Sequence, residues 1–461
     1  MDSGADGSAK IEIPARNAPA WLLLAVFACY FNALSGAFQF DDYNVIVDNP
    51  RVHSWDAWLA GLSHGIRPLL KFSYTLDWTL GLGAAGFHLT NLLIHLADAW
   101  LVYLLAGKFV RRQPQRERLR EVPLFTAVLF AVHPVHTEAV TYICGRSVAL
   151  MTMFYLGALL CYVTGRTRHN SIYLYVTTPL LFLLALGVKE TAVTFPLALL
   201  VWELCCGGNW RTAFRPQWPS WAVLLLGALF FLSSDNYMSQ MERSAELNSL
   251  QGNIATQLLA FAWLMRQWAL PLWLNIDPDL PLQHDFSEAA LPLLFFSAMC
   301  VLLFLFRRKR PWITFALAWA LLQLIPLYLF LPRIDIANER QLYLASWPLL
   351  LALIIELALL LRAPAFRRSA TILTLILAAL TVMRNRDYAS EIALWEDTVG
   401  KSPHKARAHN NLGYAYLLAQ RNADARREFS TALQLDPHLV KVRNNLQRLE
   451  SGRPRDQGRM E

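Results

Sequence analysis

Apolar runs of about 16–20 residues recur along this chain, separated by short polar or basic stretches. As a helix, each can cross roughly 30 Å of hydrocarbon. The pattern predicts membrane spans near 20–38, 87–106, 122–141, 147–164, 171–187, 191–206, 219–235, 289–306, 312–331, 342–361 and 369–384. Small residues after the first run, Ala33-Leu34-Ser35-Gly36-Ala37, also suit a signal peptide, but the run is long and ten spans follow it. Beyond residue 384 the chain turns polar. The expected organisation is α-helical, with about 11 spans over 1–384, an extracytoplasmic helical tail over 385–450 and a disordered end over 451–461.

Loop charge orients the spans. Residues 107–120 hold Lys108, Arg111, Arg112, Arg116, Arg118 and Arg120; further inside clusters are Arg166 with Arg168, Arg211 with Arg215, Arg307 to Arg310, and Arg362 to Arg368. These agree only if the 254–275 segment, broken by Arg266 and Pro271, does not cross. The N-terminus then lies inside and the C-terminus outside. The larger outer-face segments become 39–86, 236–288 and 332–341.

Composition narrows the class. With 55% hydrophobic and 16% charged residues and 16 Trp, the chain is neither disordered nor a typical soluble enzyme. Its +8 charge sits in loops and tail, where it reports topology, and no basic–aromatic patch suggests a nucleic acid. Six cysteines form neither a disulfide framework nor a CxxC pattern, although Cys205 and Cys206 are adjacent.

The tail contains a repeat. A 34-residue frame over 406–439 places Leu412, Gly413, Tyr416, Ala425, Phe429, Ala432 and Pro437 where a tetratricopeptide repeat needs small and bulky residues; His409 departs from the usual Trp-like position. Trp395 and Pro403 fit a partial repeat before it, and Asn444-Asn445-Leu446 echoes Asn410-Asn411-Leu412 after it. One full repeat buries little, so the tail should lean on the membrane domain. Asn410, Asn411, Tyr414, Asn444 and Asn445 are candidate acceptor-binding residues, since an Asn amide both donates to and accepts from a peptide backbone. Helix–helix hydrogen bonding is an equal alternative.

Asp41 and Asp42 follow the first span. A carboxylate at membrane depth costs on the order of 3 kcal/mol, which marks such acids as functional. The alternative is an Asx-turn or helix N-cap at the membrane exit.

Four clusters extend this reading: Phe40-Asp41-Asp42 with Asn49-Pro50 and Arg67-Pro68-Leu69; Gly86-Phe87-His88-Leu89-Thr90-Asn91 with His95; Leu129 to Val140, containing His133-Pro134-Val135-His136-Thr137-Glu138, with Gly145-Arg146; and Glu339-Arg340-Gln341-Leu342-Tyr343-Leu344-Ala345-Ser346. Lys189-Glu190-Thr191 fits with them. In this order, ahead of a tetratricopeptide repeat, they resemble the transmembrane, tetratricopeptide-containing O-mannosyltransferases and their bacterial relatives. The tail has fewer repeats than the eukaryotic members, and Ala345 stands where a Pro is common.

The resemblance implies a polytopic GT-C glycosyltransferase fold. It also implies a polyprenyl-phosphate-linked sugar donor, an extracytoplasmic protein acceptor, and the lipid bilayer as the third partner. One carboxylate deprotonates the acceptor hydroxyl while cations hold phosphate, and direct attack inverts the sugar. Asp41 is the expected base, with Asp42 next; in extended chain only one of the pair would face the site. Arg340 is the expected phosphate ligand, or else pairs with Glu339. Lys189, Arg146 and Arg67 are further donor-site cations, or structural partners of Glu190, Glu138 or Asp42; Glu138, Glu190 and His88 complete the donor-side set. His133, His136 and Glu138 lie only partly on one helical face across Pro134, which disfavours a metal site. No cofactor is expected, and a divalent ion on outer-loop acids is left open. The short loops and brief repeat array point to a bacterial inner membrane with a periplasmic site. Alternatives are a transferase acting on glycan or lipid, with the repeats recruiting a partner, and a non-catalytic repeat-bearing scaffold.

Overall fold

The computed structural model describes residues 17–62, 66–206, 210–233, 238–239, 242, 248–325 and 335–451. Apart from Ser451, the tail end at 451–461 lies outside them, as do the end of the 312–331 span and parts of the 236–288 and 332–341 segments. The described residues are helical, without strands. In chain order the helices are α1 (Ala18–Tyr30), α2 (Trp55–Ala60), α3 (Pro68–Leu80), α4 (Gly83–Val110), α5 (Val122–Val132), α6 (Thr137–Val140), α7 (Arg146–Arg168), α8 (Thr178–Val188), α9 (Phe195–Cys205) and α10 (Trp210–Ser233). They continue with α11 (Leu250–Ala269), α12 (Ala290–Phe306), α13 (Pro311–Leu324), α14 (Leu342–Leu360) and α15 (Ala363–Asp387). The tail comprises α16 (Glu391–Lys401), α17 (Ala406–Leu418), α18 (Asn422–Leu435) and α19 (Val440–Ser451).

The arrangement suits a lipid surround. On α4, His88, Asn91, His95 and Asp98 recur at helical spacing and are all buried, while Leu89 and Leu93 are exposed. The polar stripe faces neighbouring helices and the apolar one faces out, the reverse of a water-soluble helix. His95 Nδ1 lies 2.6 Å from the Tyr343 hydroxyl, which donates to Asp98 at 2.9 Å. His95 Nε2 lies 3.1 Å from the Ala131 carbonyl. His136 bridges the Phe130 carbonyl and the Ser346 hydroxyl. These bonds tie α4, α5 and α14 together. The 339–360 segment is central, with 78% of its most apolar stretch buried; α15 and the 212–233 segment are peripheral at 22% each.

Helices lie at all eleven expected spans, and α11 occupies the segment expected not to cross. Among the described residues, five segments are both long and apolar enough to cross alone: 83–110, 143–168, 212–233, 339–360 and 363–387. The others are shorter or interrupted. The 122–141 segment shows why: Pro134 disfavours helical backbone at the residue before it, and His133 is extended (ψ 124°). The chain then passes through a 3-10 turn, Pro134–His136, into α6. Likewise, 191–206 begins as the 3-10 turn Glu190–Thr194 and becomes α-helical only at Phe195.

The tail packs on the loops that carry Phe40 and residues 274–278. Its apolar cluster of Trp395, Leu412, Tyr416 and Phe429 takes in Phe40 and Ile276 from the membrane domain. Asn275 donates to the Ser402 hydroxyl at 2.7 Å, and Lys401 and Lys405 donate to the carbonyls of Leu274 and Pro278. His409, at the odd repeat position, lies between Glu428 and the Pro403 carbonyl. Gly413 admits Phe429, whose ring would stand 2.7 Å from a Cβ there.

Gly145 is the tightest of the described glycines. A Cβ there would fall 2.0 Å from the Glu138 carbonyl oxygen and 3.0 Å from Ala139 Cα, both backbone atoms. Gly145→Ala is expected to destabilise the protein by roughly 1–3 kcal/mol. Thermal unfolding in detergent checks this, and an unchanged midpoint would contradict the close crossing.

Candidate active site at the junction of membrane domain and tail

The first acidic cluster is set by a strained turn. Phe40 has a left-handed backbone (φ 50°), uncommon for a bulky residue. Its ring meets Trp395 of α16 edge-on at 5.1 Å. Asp41 and Asp42 then begin a helical turn, with Asp42 at φ −58°, ψ −33°. The pair is therefore not extended, contrary to the sequence expectation, because it opens the turn that continues through Val47.

The two acids have different surroundings. Asp42 is 1% exposed. Its Oδ2 accepts the Gln39 N–H at 3.0 Å, and its Oδ1 accepts the Cys144 N–H at 2.9 Å. The carboxylate thereby pins the 39–42 turn to the Ile143–Gly145 turn. Burial nevertheless pushes its pKa up to about 7. Asp41 is half-buried, and its N–H donates to the Tyr142 hydroxyl at 3.1 Å. Burial raises its pKa as well, opposed by Arg340, reinforced by Asp335 and opposed by Arg407.

Those three charges border one cleft, about 330 Å³ including its open mouth, walled by Glu138, Tyr142, Asp335, Arg340, Trp395 and Arg407. Glu138 is buried and accepts the Arg340 backbone N–H at 2.9 Å, with its second oxygen 3.3 Å from Arg340 Nε. Arg340's structural partner is thus Glu138 rather than the Glu339 considered from sequence. Glu339 instead faces Arg384 at 3.6 Å, because the 3-10 turn Glu339–Gln341 sends successive side chains in different directions. The two terminal nitrogens of Arg340 have no protein acceptor among the described residues. From the tail, Arg407 pairs with Asp277 at 2.5 Å and with Asp335, while Lys405 reaches Asp277 at 2.6 Å.

The other expected donor-site cations lie in separate groups. Arg67, also left-handed (φ 55°), forks onto Glu190 at 2.6 and 3.0 Å. Burial would raise the Glu190 pKa, but Arg67 and then Lys189 hold it down to about 2. Arg146 is fully buried and its nitrogens are committed to Asn91, Ser73, Phe87 and Asp77, the last at 2.6 Å. Its ion-pair partner is Asp77, not Glu138 or Asp42, because α7 packs its first turn against α3 and α4. His88 lies 3.2 Å from the Gly36 carbonyl and fastens the segment leading to Asp41. His133 receives the Val135 N–H and stacks on Trp268.

In the tail, Asn445 donates to Asn410 at 3.0 Å, and Asn410 donates to Asn411 at 3.2 Å. This is the helix–helix bonding foreseen as one alternative. The Asn411 amide nitrogen is buried without a partner among the described residues, Tyr414 is half-buried and Asn444 is exposed. Sequence reading missed Tyr142, Asp277, Asp335, Trp395 and Arg407 as cleft or docking residues. The available signal was opposite charge: acids in the 236–288 and 332–341 segments against Lys401, Lys405 and Arg407 in the tail.

The Asp42 shift has a definite sign. An acid whose pKa rises on folding keeps its proton in the native state while the unfolded chain has lost it. Stability from this group therefore falls as pH rises from about 4 to about 7 and levels off above. Unfolding midpoints of wild type minus Asp42→Asn should fall across that window; a flat difference would contradict burial as the dominant influence on Asp42.

Residues 406–439 match the tetratricopeptide repeat family. A protein O-mannosyl-transferase of Caenorhabditis elegans is 27% identical over 88% of this chain and 61% of its own length. The protein O-mannosyl-transferase TMTC3 of Mus musculus is 26% identical over 93% of this chain and 52% of its own. Tmtc1 of Drosophila melanogaster, also named a protein O-mannosyl-transferase, reaches 36% over 39% of this chain and 21% of its own. The chain spans between half and two thirds of the length of the first two relatives. Its curated homologues are thus protein O-mannosyl-transferases of the TMTC family, a likeness that runs through the membrane domain into the tetratricopeptide tail.

Proposed function

We propose that the chain is a membrane glycosyltransferase of GT-C type, moving a sugar from a polyprenyl-phosphate-linked donor to a hydroxyl of an extracytoplasmic protein. The observation that carries this reading is that Asp41 lies within electrostatic reach of Arg340, Asp335 and Arg407, the charges that border a polar cleft between apolar helices and a repeat tail. A donor with a membrane-bound tail and a protein acceptor from water meet at such a boundary. The names of the homologues make mannose the first sugar to test. A bacterial inner membrane with the cleft on the periplasmic side completes the reading.

In the proposed step, the acceptor oxygen forms a bond to the anomeric carbon as the carbon–oxygen bond to phosphate breaks. The hydroxyl proton passes to Asp41, and the polyprenyl phosphate leaves with the bonding electrons. Direct attack opposite the leaving group inverts the anomeric centre. Asp41 suits the base role better than Asp42, whose two oxygens already accept backbone N–H groups. A raised pKa makes Asp41 a stronger base than an ordinary carboxylate. Arg340 supports departure through its two terminal nitrogens, while Glu138 holds the third. Arg407 and Trp395 make the tail a wall of the cleft, so the acceptor would approach along that wall.

Asp41→Asn should lower transfer to protein by roughly 10²–10⁴-fold while leaving donor binding largely intact. Arg340→Ala should weaken donor retention as well as rate. Purified protein assayed with lipid-linked mannose and a periplasmic protein extract tests both; full activity in Asp41→Asn removes the base assignment. Transfer by the wild type should rise with pH through an apparent pKa above the ordinary carboxylate range, since only ionised Asp41 accepts the proton.

A further inference from the structure

A second cleft lies on the loop between α1 and α3. Arg51, Trp58, Leu62, Ile66, Pro68 and Lys71 border it. The Trp58 indole N–H donates to the Pro68 carbonyl at 3.0 Å, and Trp55 and Trp58 pack on Phe72. Arg51 is exposed and Lys71 is half-buried. The charged groups acting on Lys71 are Arg51 and Arg67, both cations, and burial joins them in depressing its pKa. Among the described residues, neither the Arg51 nor the Lys71 side chain has an acidic partner. Two cations held near each other beside apolar walls repel, and an anion seated between them relieves that repulsion.

The surface next to the cleft narrows the chemistry of that anion. Helix α3 exposes Phe72, Leu76 and Leu80, four residues apart and hence on one face, and Leu59 of α2 is also exposed. An anionic head beside this apolar surface, which also includes Trp55 and Leu62, fits a phosphate-bearing amphiphile. Inorganic phosphate would use the cations but not the apolar surface. The same helix leads toward the acids. Tyr74, three residues or about 4.5 Å along the axis from Lys71, lies beside Cys144 and within electrostatic reach of Asp42.

We propose that Arg51 and Lys71 form a docking site for the phosphate of a polyprenyl-phosphate lipid, whose isoprenoid chain lies along Phe72, Leu76 and Leu80. The site is distinct from Arg340 and holds the lipid before its sugar reaches Asp41. The inference rests on the polyprenyl-phosphate donor reading. Lys71 supplies the half-buried charge and Arg51 the planar fork at the rim.

The test uses the full chain in phosphatidylcholine nanodiscs, titrated with polyprenyl monophosphate and read by native mass spectrometry. Wild type should retain the lipid, and the Arg51→Ala/Lys71→Ala double variant should retain it at least about tenfold more weakly. Lys71→Arg should bind near wild-type strength, and an unchanged unfolding midpoint in the double variant should separate lost binding from lost folding. Wild-type affinity in the double variant overturns the site. If Arg340→Ala alone abolishes retention, the donor reading stands and this site falls. Displacement of the lipid by equal amounts of phosphatidylglycerol or inorganic phosphate overturns the assignment to a polyprenyl chain. If wild type retains no polyprenyl phosphate, the donor reading falls with the site.

Discussion

A charge taken out of water must be met by an opposite charge or by hydrogen bonds, and this chain is arranged around that requirement. The Asp42 carboxylate is the clearest instance. Two backbone N–H groups, from Gln39 and Cys144, converge on it and join the exit of the first apolar helix to the start of α7. Arg146, two residues after Cys144, is buried against Asp77, and Asn91 shares its guanidinium while donating to the Val140 carbonyl. The acids, the Glu138 turn and the central helices are thereby held in one polar seam. Removing a single member would strand a buried partner.

The same requirement joins the tail to the membrane domain. Arg407 and Lys405 meet Asp277, Arg407 also meets Asp335, and Lys401 with Arg384 meets Asp397. Around this charged layer, Phe40 and Trp395 make the apolar contact. One complete repeat could not stand alone on its small core, and the docking supplies what further repeats would otherwise supply. In consequence the tail, through Trp395 and Arg407, closes one side of the cleft beside Arg340. The repeat and the 39–42 turn that carries the acids are then physically adjacent.

Arginine shows how the setting decides the role. Arg146, Arg67 and Arg340 all arise from motifs that read alike in sequence. In the structure Arg146 is committed to protein acceptors on every nitrogen, Arg67 forks onto Glu190, and Arg340 is tethered, among the described residues, through Nε and its backbone N–H. A guanidinium has five donors, so the number already used inside the protein determines what remains for a ligand. That count depends on which helices meet, and no spacing along the chain encodes it.

Much of the fold is legible in the sequence, because it depends on local pattern. Apolar runs mark a helix at each expected span, and the 34-residue frame marks the repeat at 406–439, since helix periodicity and close packing at Gly413 are properties of neighbouring residues. Pro134 is visible as an interruption, though not as the device that delivers Glu138 to Arg340. What only the tertiary structure decided are pairings across long separations: Arg340 with Glu138, Arg146 with Asp77, Arg407 with Asp277 and Asp335, and Asp42 with the Cys144 backbone. Sequence determined that the Asp41–Asp42 pair leaves an apolar helix. That Asp42 is tied down while Asp41 stays half-buried within reach of Arg340, Asp335 and Arg407 came from burial and from the N–H groups that other residues brought to Asp42, because electrostatics acts through space and not along the chain.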